Sequence, residues 1–245
     1  MKSKLPEVGT TIFTIMSSLA ERHGAVNLGQ GFPDYDPDPR LQALVAEAMR
    51  AGPNQYAPLA GVAALREAIA TKVARLYGRA YDPAAEITIS AGATEALMSA
   101  ILAVVHPGDE VIVLEPAFDS YVPAVRLAGG VPVFVPLDEG DYAVPWDRVK
   151  AAITPRTRLM LLNSPHNPSG AVFSAADLDA LEAIVRGTDI LLMADEVYEH
   201  IVFDGQPHQS LARRPALAER AFVISSFAKT FHATGWKVGY CCAPP

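Results

Sequence analysis

The sequence predicts an α/β protein, a mostly parallel sheet between layers of helices, on three observations. Short runs rich in Val, Ile and Leu recur without polar alternation, as strands do when both faces are covered. Helical patterns intervene between these runs from about residue 60 onward. Such alternation places parallel strands in one sheet with the crossover helices packed on its faces.

The first forty residues, with "NLGQGFPDYDPDP", are rich in glycine, proline and aspartate and read as an arm or loop outside the sheet. Residues 41–245 read as one large domain. "GVAALREAIATKVARLYG" spaces apolar residues at helical intervals and ends on Gly78, as a helix stop should. "EITIS", "EVIVLE", "VPVFVPL", "RLMLLN", "DILLMAD" and "AFVISS" are the candidate strands. "ATEALMSAILAVV" and "SAADLDALEAIVRG" are helical segments between them.

Bulk properties narrow the function. The chain has 245 residues, half of them hydrophobic and 19% charged, as in an ordinary globular protein. A net charge of −7 without a basic block argues against nucleic acid and anionic membranes as partners. No signal peptide is read at the N-terminus, and the longest apolar stretch is too short to cross a bilayer. The two cysteines, Cys241 and Cys242, are adjacent and form neither a metal-ligand set nor a disulfide framework. The expected compartment is the cytoplasm.

In open parallel sheets, ligands bind beyond the carboxyl ends of the strands. "EITIS" is followed by Gly92, Ala93 and Thr94, which open a helix, and "EVIVLE" leads to Phe118. "RLMLLN" ends at Asn163 and leads to Asn167 in "SPHNPSG". "DILLMAD" ends at Asp195, with Tyr198 beyond, and "AFVISS" ends at Ser226, with Lys229 beyond and Lys237 further on. Each has a plain explanation alone: a helix cap, a packed ring, an Asn-Pro turn, a solvated helix start, a surface lysine. Their convergence on one edge is what points to a ligand.

Together they meet the needs of pyridoxal 5′-phosphate. Its aldehyde requires a lysine amine for a Schiff base, which Lys229 offers. Its pyridine nitrogen requires a carboxylate to stay protonated. Asp195 suits that, in a charge pair worth at most ~4 kcal/mol at ~4 Å and an effective dielectric of ~20. Asn167 and Tyr198 can donate to the ring oxygen, and Phe118 can cover the ring. Ala93 and Thr94 at a helix start, Ser226 and Lys237 supply the N–H groups, hydroxyl and cation that a phosphate needs. Neither G-x-G-x-x-G nor G-x-x-x-x-G-K-[ST] occurs, which disfavours a nucleotide-binding enzyme.

The motifs "NLGQGFPD", "NQYAPLAG", "SAGATEAL", "NSPHNPSG", "ADEVYE" and "SSFAKTFHATGWKVGY" occur in that order along the chain. Through them it resembles the class I, fold-type I aminotransferases. "SKLPEVGTTIFTIMSSLA" and "HATGWKVGYCCAP" resemble the branch of bacterial methionine (2-oxo-acid), kynurenine and glutamine aminotransferases. The resemblance implies the large domain of that fold. It implies transamination between an amino acid and a 2-oxo acid, with Lys229 as the acid–base that moves the Cα proton. It implies a homodimer in which Tyr56 of "NQYAP" reaches the phosphate of the neighbouring subunit. It places Gly31 in a loop at the substrate carboxylate, with Asn167 also contacting substrate, and it puts Lys237 where other branches carry arginine. It also implies a smaller C-terminal domain, bearing an arginine for the substrate carboxylate, which is expected to be absent from these residues. The same cofactor contacts would serve a β-lyase acting on a sulfur-bearing amino acid. A cofactor-binding sensor domain would need a basic DNA-binding segment, and a catalytically impaired fragment is the remaining alternative.

Overall fold

The computed structural model describes residues 2–31, 35–52 and 54–245. Phe32, Pro33 and Asp34 of "GQGFPD" lie outside the described residues. The chain forms helix α1 (Ile12–His23), α2 (Pro39–Ala51), α3 (Ala63–Tyr77), strand β1 (Ile87–Ser90), α4 (Ala93–Val104), β2 (Glu110–Glu115), α5 (Tyr121–Leu127) and β3 (Val131–Pro136). There follow α6 (Trp146–Ala151), β4 (Thr157–Asn163), α7 (Ala175–Val185), β5 (Leu191–Asp195), α8 (Pro215–Ala218), β6 (Ala221–Ser226), α9 (Phe227–Thr230) and β7 (Gly239–Cys242).

The seven strands make one sheet in the order β1-β7-β6-β5-β4-β2-β3. All pairings are parallel except those of β7, which runs antiparallel to both β1 and β6. The expected strands are all present, and β7 is an addition. "GYCC" is four residues long and lacks the β-branched run that marks the others.

Strand periodicity divides the core. In β2, Val111 and Val113 face one cluster while Ile112 and Leu114 face another; in β4, Leu159 and Leu161 oppose Met160 and Leu162. The period of two in side-chain direction requires this. Helices α4 and α5 cover the first face and α3 and α7 the second. Each fully buried Leu, Ile or Met contributes about 1.5–3 kcal/mol relative to exposure. Helix α7 starts on a capping box, with Ser174 Oγ accepting from the Asp177 N–H and Asp177 accepting from the Ser174 N–H at 2.7 Å.

The expected arm is more ordered than a loop: it contains α1, capped by Thr11 at its start and by Gly24 in the left-handed region at its end. α2 begins at Pro39, behind the Asp38 cap. Neither helix contains a buried residue. The arm is tied back at two points, by Arg126 to Glu7 at 2.8 Å and by His232 to the Tyr35 carbonyl at 2.5 Å, with the His232 and Tyr35 rings stacked.

Candidate active site

Because β7 enters the sheet antiparallel, its first residue lies at the same edge as the last residues of its neighbours. Ser90, Gly239 and Ser226 stand side by side in register. A Cβ on Gly239 would lie 2.5 Å from the carbonyl carbon of Gly92 and 2.6 Å from the Ala93 nitrogen. The start of α4 is therefore packed directly on the start of β7, an approach open only to glycine. Gly92 takes φ +80°, and no side chain caps α4, so its first N–H groups, at Ala93 and Thr94, are left for another acceptor.

Lys237 sits in the left-handed region and folds back toward this helix start. A Cβ on Gly92 would be 3.1 Å from its Nζ. Among the described residues Lys237 has no carboxylate within 4.0 Å. A helix N-terminus, an unpaired ammonium and the neighbouring Ser226 thus form a seat for an anion.

Asp195 ends β5 beside Asn163 of β4 and is 5% exposed. Its carboxylate accepts from the Tyr121 hydroxyl at 2.7 Å and from the Val197 N–H at 3.3 Å. Burial pushes its carboxyl up to about 6; the bonds from Tyr121 and Val197 and the charge of Lys229 oppose that shift, and Glu196 adds to it. Glu196 is not the start of a solvated helix, one plain explanation of this stretch. It is buried, accepting from the Leu211 N–H at 2.9 Å and pairing with His208 at 3.0 Å.

Lys229 follows β6 on the short α9, half-buried, with its Nζ 5.5 Å from the centre of the Tyr198 ring. Burial lowers the affinity of its amine for a proton, Asp195 raises it, and Lys237 lowers it again, leaving it below the ordinary lysine range. Burial and the Asp195 charge both hold the Tyr198 phenol in its protonated form.

Phe118 packs edge-to-face on Tyr121, with ring centres 5.6 Å apart. Its loop is linked to the Asn167 loop by His166, which lies 2.9 Å from the Pro116 carbonyl and 2.7 Å from Ser169 Oγ. Asn163 anchors the latter loop: its Oδ1 accepts from the Asn167 N–H at 2.7 Å while its Nδ2 donates to the Asp195 carbonyl at 2.8 Å. The Asn167 side chain makes no hydrogen bond among the described residues.

The structure thus gathers Gly92, Ala93, Thr94, Phe118, Asn167, Asp195, Tyr198, Ser226, Lys229 and Lys237 at one sheet edge. Tyr56 and Gly31 do not join them within this chain. Tyr56 is fully exposed, and a Cβ on Gly31 would meet nothing within 4 Å. Gln30, beside Gly31, does line a cleft of about 520 Å³ with Phe118 and α1. Sequence reasoning passed over Tyr121 and gave Asn163 no role. Tyr121 opens α5, and nothing in its local sequence distinguishes it from a packed aromatic.

These features define an α/β protein whose sheet edge gathers an anion seat, a buried carboxylate and a half-buried lysine. The chain belongs to the class I and II aminotransferases: the model of that family matches residues 23–245. The chain is 53% identical to a methionine aminotransferase of Escherichia coli over 243 residues, 99% of this chain and 63% of that protein. It is 37% identical to a kynurenine–oxoglutarate transaminase of Dictyostelium discoideum, covering 96% of this chain and 58% of that one. The solved structure of the Escherichia coli enzyme superposes with a TM-score of 0.96, covering 100% of this chain and 64% of that chain. Aspartate aminotransferase from Thermus thermophilus, solved with maleate, gives 0.92 at 36% identity, with 100% and 64% covered. The chain spans somewhat less than two thirds of the length of these relatives. The family depends on pyridoxal phosphate.

Proposed function

We propose that this chain holds pyridoxal 5′-phosphate at the strand ends, and that the protein transfers an amino group between a methionine-like, aromatic or glutamine-like amino acid and a 2-oxo acid. The observation that carries this is the position of Lys229, just past β6 with its Nζ 5.5 Å from the Tyr198 ring, at the sheet edge where Asp195 ends β5. The residues present fit the cofactor: the seat matches a phosphate, and Asp195 is a buried carboxylate placed for a ring nitrogen.

When bound, pyridoxal phosphate supplies an electron sink for bonds at the amino-acid Cα. Asp195, ionised above about pH 6, holds a proton at the pyridine nitrogen. Asn167 and Tyr198 would donate to the ring oxygen, and Phe118 would cover the ring and limit water. Ala93, Thr94, Ser226 and Lys237 bind the phosphate. Lys229 is the amine that would anchor the aldehyde end of the cofactor and, when free, would take up and return the proton of the substrate Cα. It can accept that proton only when neutral, which burial and Lys237 favour.

The exposed Tyr56, with Leu59 on the same loop, supports a homodimer in which this loop reaches the neighbouring subunit's site. Gly31 is assigned to the substrate carboxylate, beside the cleft that Gln30 lines. Residues 1–40 then serve as the arm with the substrate loop and residues 41–245 as the cofactor domain. The acidic charge and unpaired cysteines support a cytoplasmic setting. Borohydride reduction of the holoenzyme, followed by peptide mapping, tests the assignment. The label is expected on Lys229; a label on Lys237, or none, would overturn it.

A further inference from the structure

A second buried carboxylate lies behind the strand ends and takes no part in the site described above. Glu199 directly follows Tyr198 and is 3% exposed. Four donors reach it: Lys72 Nζ at 2.6 Å and the Tyr77 hydroxyl at 2.5 Å from α3, Ser225 Oγ at 2.6 Å from β6, and the Tyr240 hydroxyl at 3.2 Å from β7. Lys72 also donates to the Tyr240 oxygen at 2.8 Å. The partners are not scattered over the fold. Ser225 precedes Ser226, Tyr240 follows Gly239, and Glu199 itself adjoins Tyr198.

A carboxylate only accepts; here Oε1 takes Lys72, Ser225 and Tyr240 while Oε2 takes Tyr77. Burial disfavours charge on Glu199, yet Lys72 beside it and hydrogen bonds from Lys72, Ser225 and Tyr77 hold it below the usual carboxylate range. A buried ion pair adds little net stability over an apolar replacement. Fixing geometry is the use that remains. We propose that Glu199 is a positioning residue, whose carboxylate locks the segments carrying Tyr198, Ser226 and Lys237 into the mutual register that the cofactor seat requires. This inference rests on the pyridoxal phosphate reading.

The test compares apoprotein melting with the pyridoxal phosphate dissociation constant, measured by reconstituting apoenzyme. Glu199→Gln alone should lower melting and weaken binding, because it strands the Lys72 charge. The double variant Lys72→Met with Glu199→Gln removes both charges. It is expected to regain most of the melting temperature while its dissociation constant stays raised by about tenfold or more. Ser225→Ala keeps the ion pair and loses only the tie to β6. It should lower melting less than Glu199→Gln, which also strands a charge, yet bind the cofactor several-fold more weakly. Wild-type affinity in Ser225→Ala, or in the folded double variant, would overturn the positioning role. A parent apoenzyme that binds no pyridoxal phosphate would overturn the functional reading, and this inference with it.

Discussion

Burying Asp195 is costly until something cationic faces it. Its carboxyl sits at about 6 in the folded chain against an ordinary 3.8. The folded state therefore holds the proton more tightly than the unfolded state between those two values, and stability falls as pH rises through that window. Two units correspond to about 3 kcal/mol. Asp195→Asn mimics the protonated form, so its apoprotein is expected to be more stable than the parent at pH 8, by up to that amount, and equal to it near pH 4. Thermal melts at the two pH values check this; a variant no more stable at pH 8 would show that Asp195 is not strained by burial. The same variant should lose most turnover, since an amide cannot hold the pyridine nitrogen protonated. Tyr121→Phe acts on the same group from the other side. Removing a donor to the charged form should raise the Asp195 carboxyl further and weaken cofactor binding at pH 7 by roughly tenfold, on the basis of ~1.5–3 kcal/mol for a hydrogen bond to a charge. Spectroscopic titration of apoenzyme with cofactor at several pH values gives the answer.

The start of α4 and the start of β7 form a single structural unit. Gly239 lets the strand run under the helix N-terminus, and Lys237 comes back over Gly92 from the same turn. Gly239→Ala would push a methyl group against the backbone of Gly92 and Ala93, so helix or strand must move. A loss of about 1–3 kcal/mol is expected from overpacking, or roughly 2–12 °C in melting temperature. Inorganic phosphate is expected to protect the parent against heat by occupying the anion seat and to protect this variant less. Equal protection would place the phosphate elsewhere.

The molecule as a whole leaves much apolar surface uncovered. Ile12, Ile15, Met16 and Leu19 on α1, Leu44 and Met49 on α2, and Tyr56 and Leu59 beyond are all exposed. Ile12, Ile15, Met16 and Leu19 recur at helical spacing and share one face of α1, and an exposed apolar face marks a surface that binds protein. The 245-residue chain, expressed alone, is expected to associate at micromolar concentration; sedimentation velocity at several concentrations should show species heavier than 26.1 kDa. Replacing Tyr56 and Leu59 with serine should reduce the association without changing the melting of the sheet. A chain that stays monomeric throughout would count against the homodimer proposal.

Six of the seven strands, their parallel direction and the residues beyond their ends were legible in the sequence, because a strand covered on both faces needs an unbroken apolar run and its loop must supply whatever the ligand needs. Asp195 and Lys229 stood out because each follows such a run. Strand β7 was hidden: among its glycine, tyrosine and two cysteines only the tyrosine favours a strand, and its place follows from pairing with β1 and β6. Tyr121 and Glu199 were hidden for a related reason. The first looks like a packed aromatic and the second like a surface acid until the fold brings Asp195 to one and Lys72, Tyr77 and Ser225 to the other. The sequence by itself determined the fold class and the chemical groups offered along one sheet edge, because local pattern and composition record burial and ligand chemistry. Only the tertiary structure decided which carboxylate faces the site and which one braces it from behind, because hydrogen-bond partners from 26 to 127 residues apart meet only when the sheet is assembled.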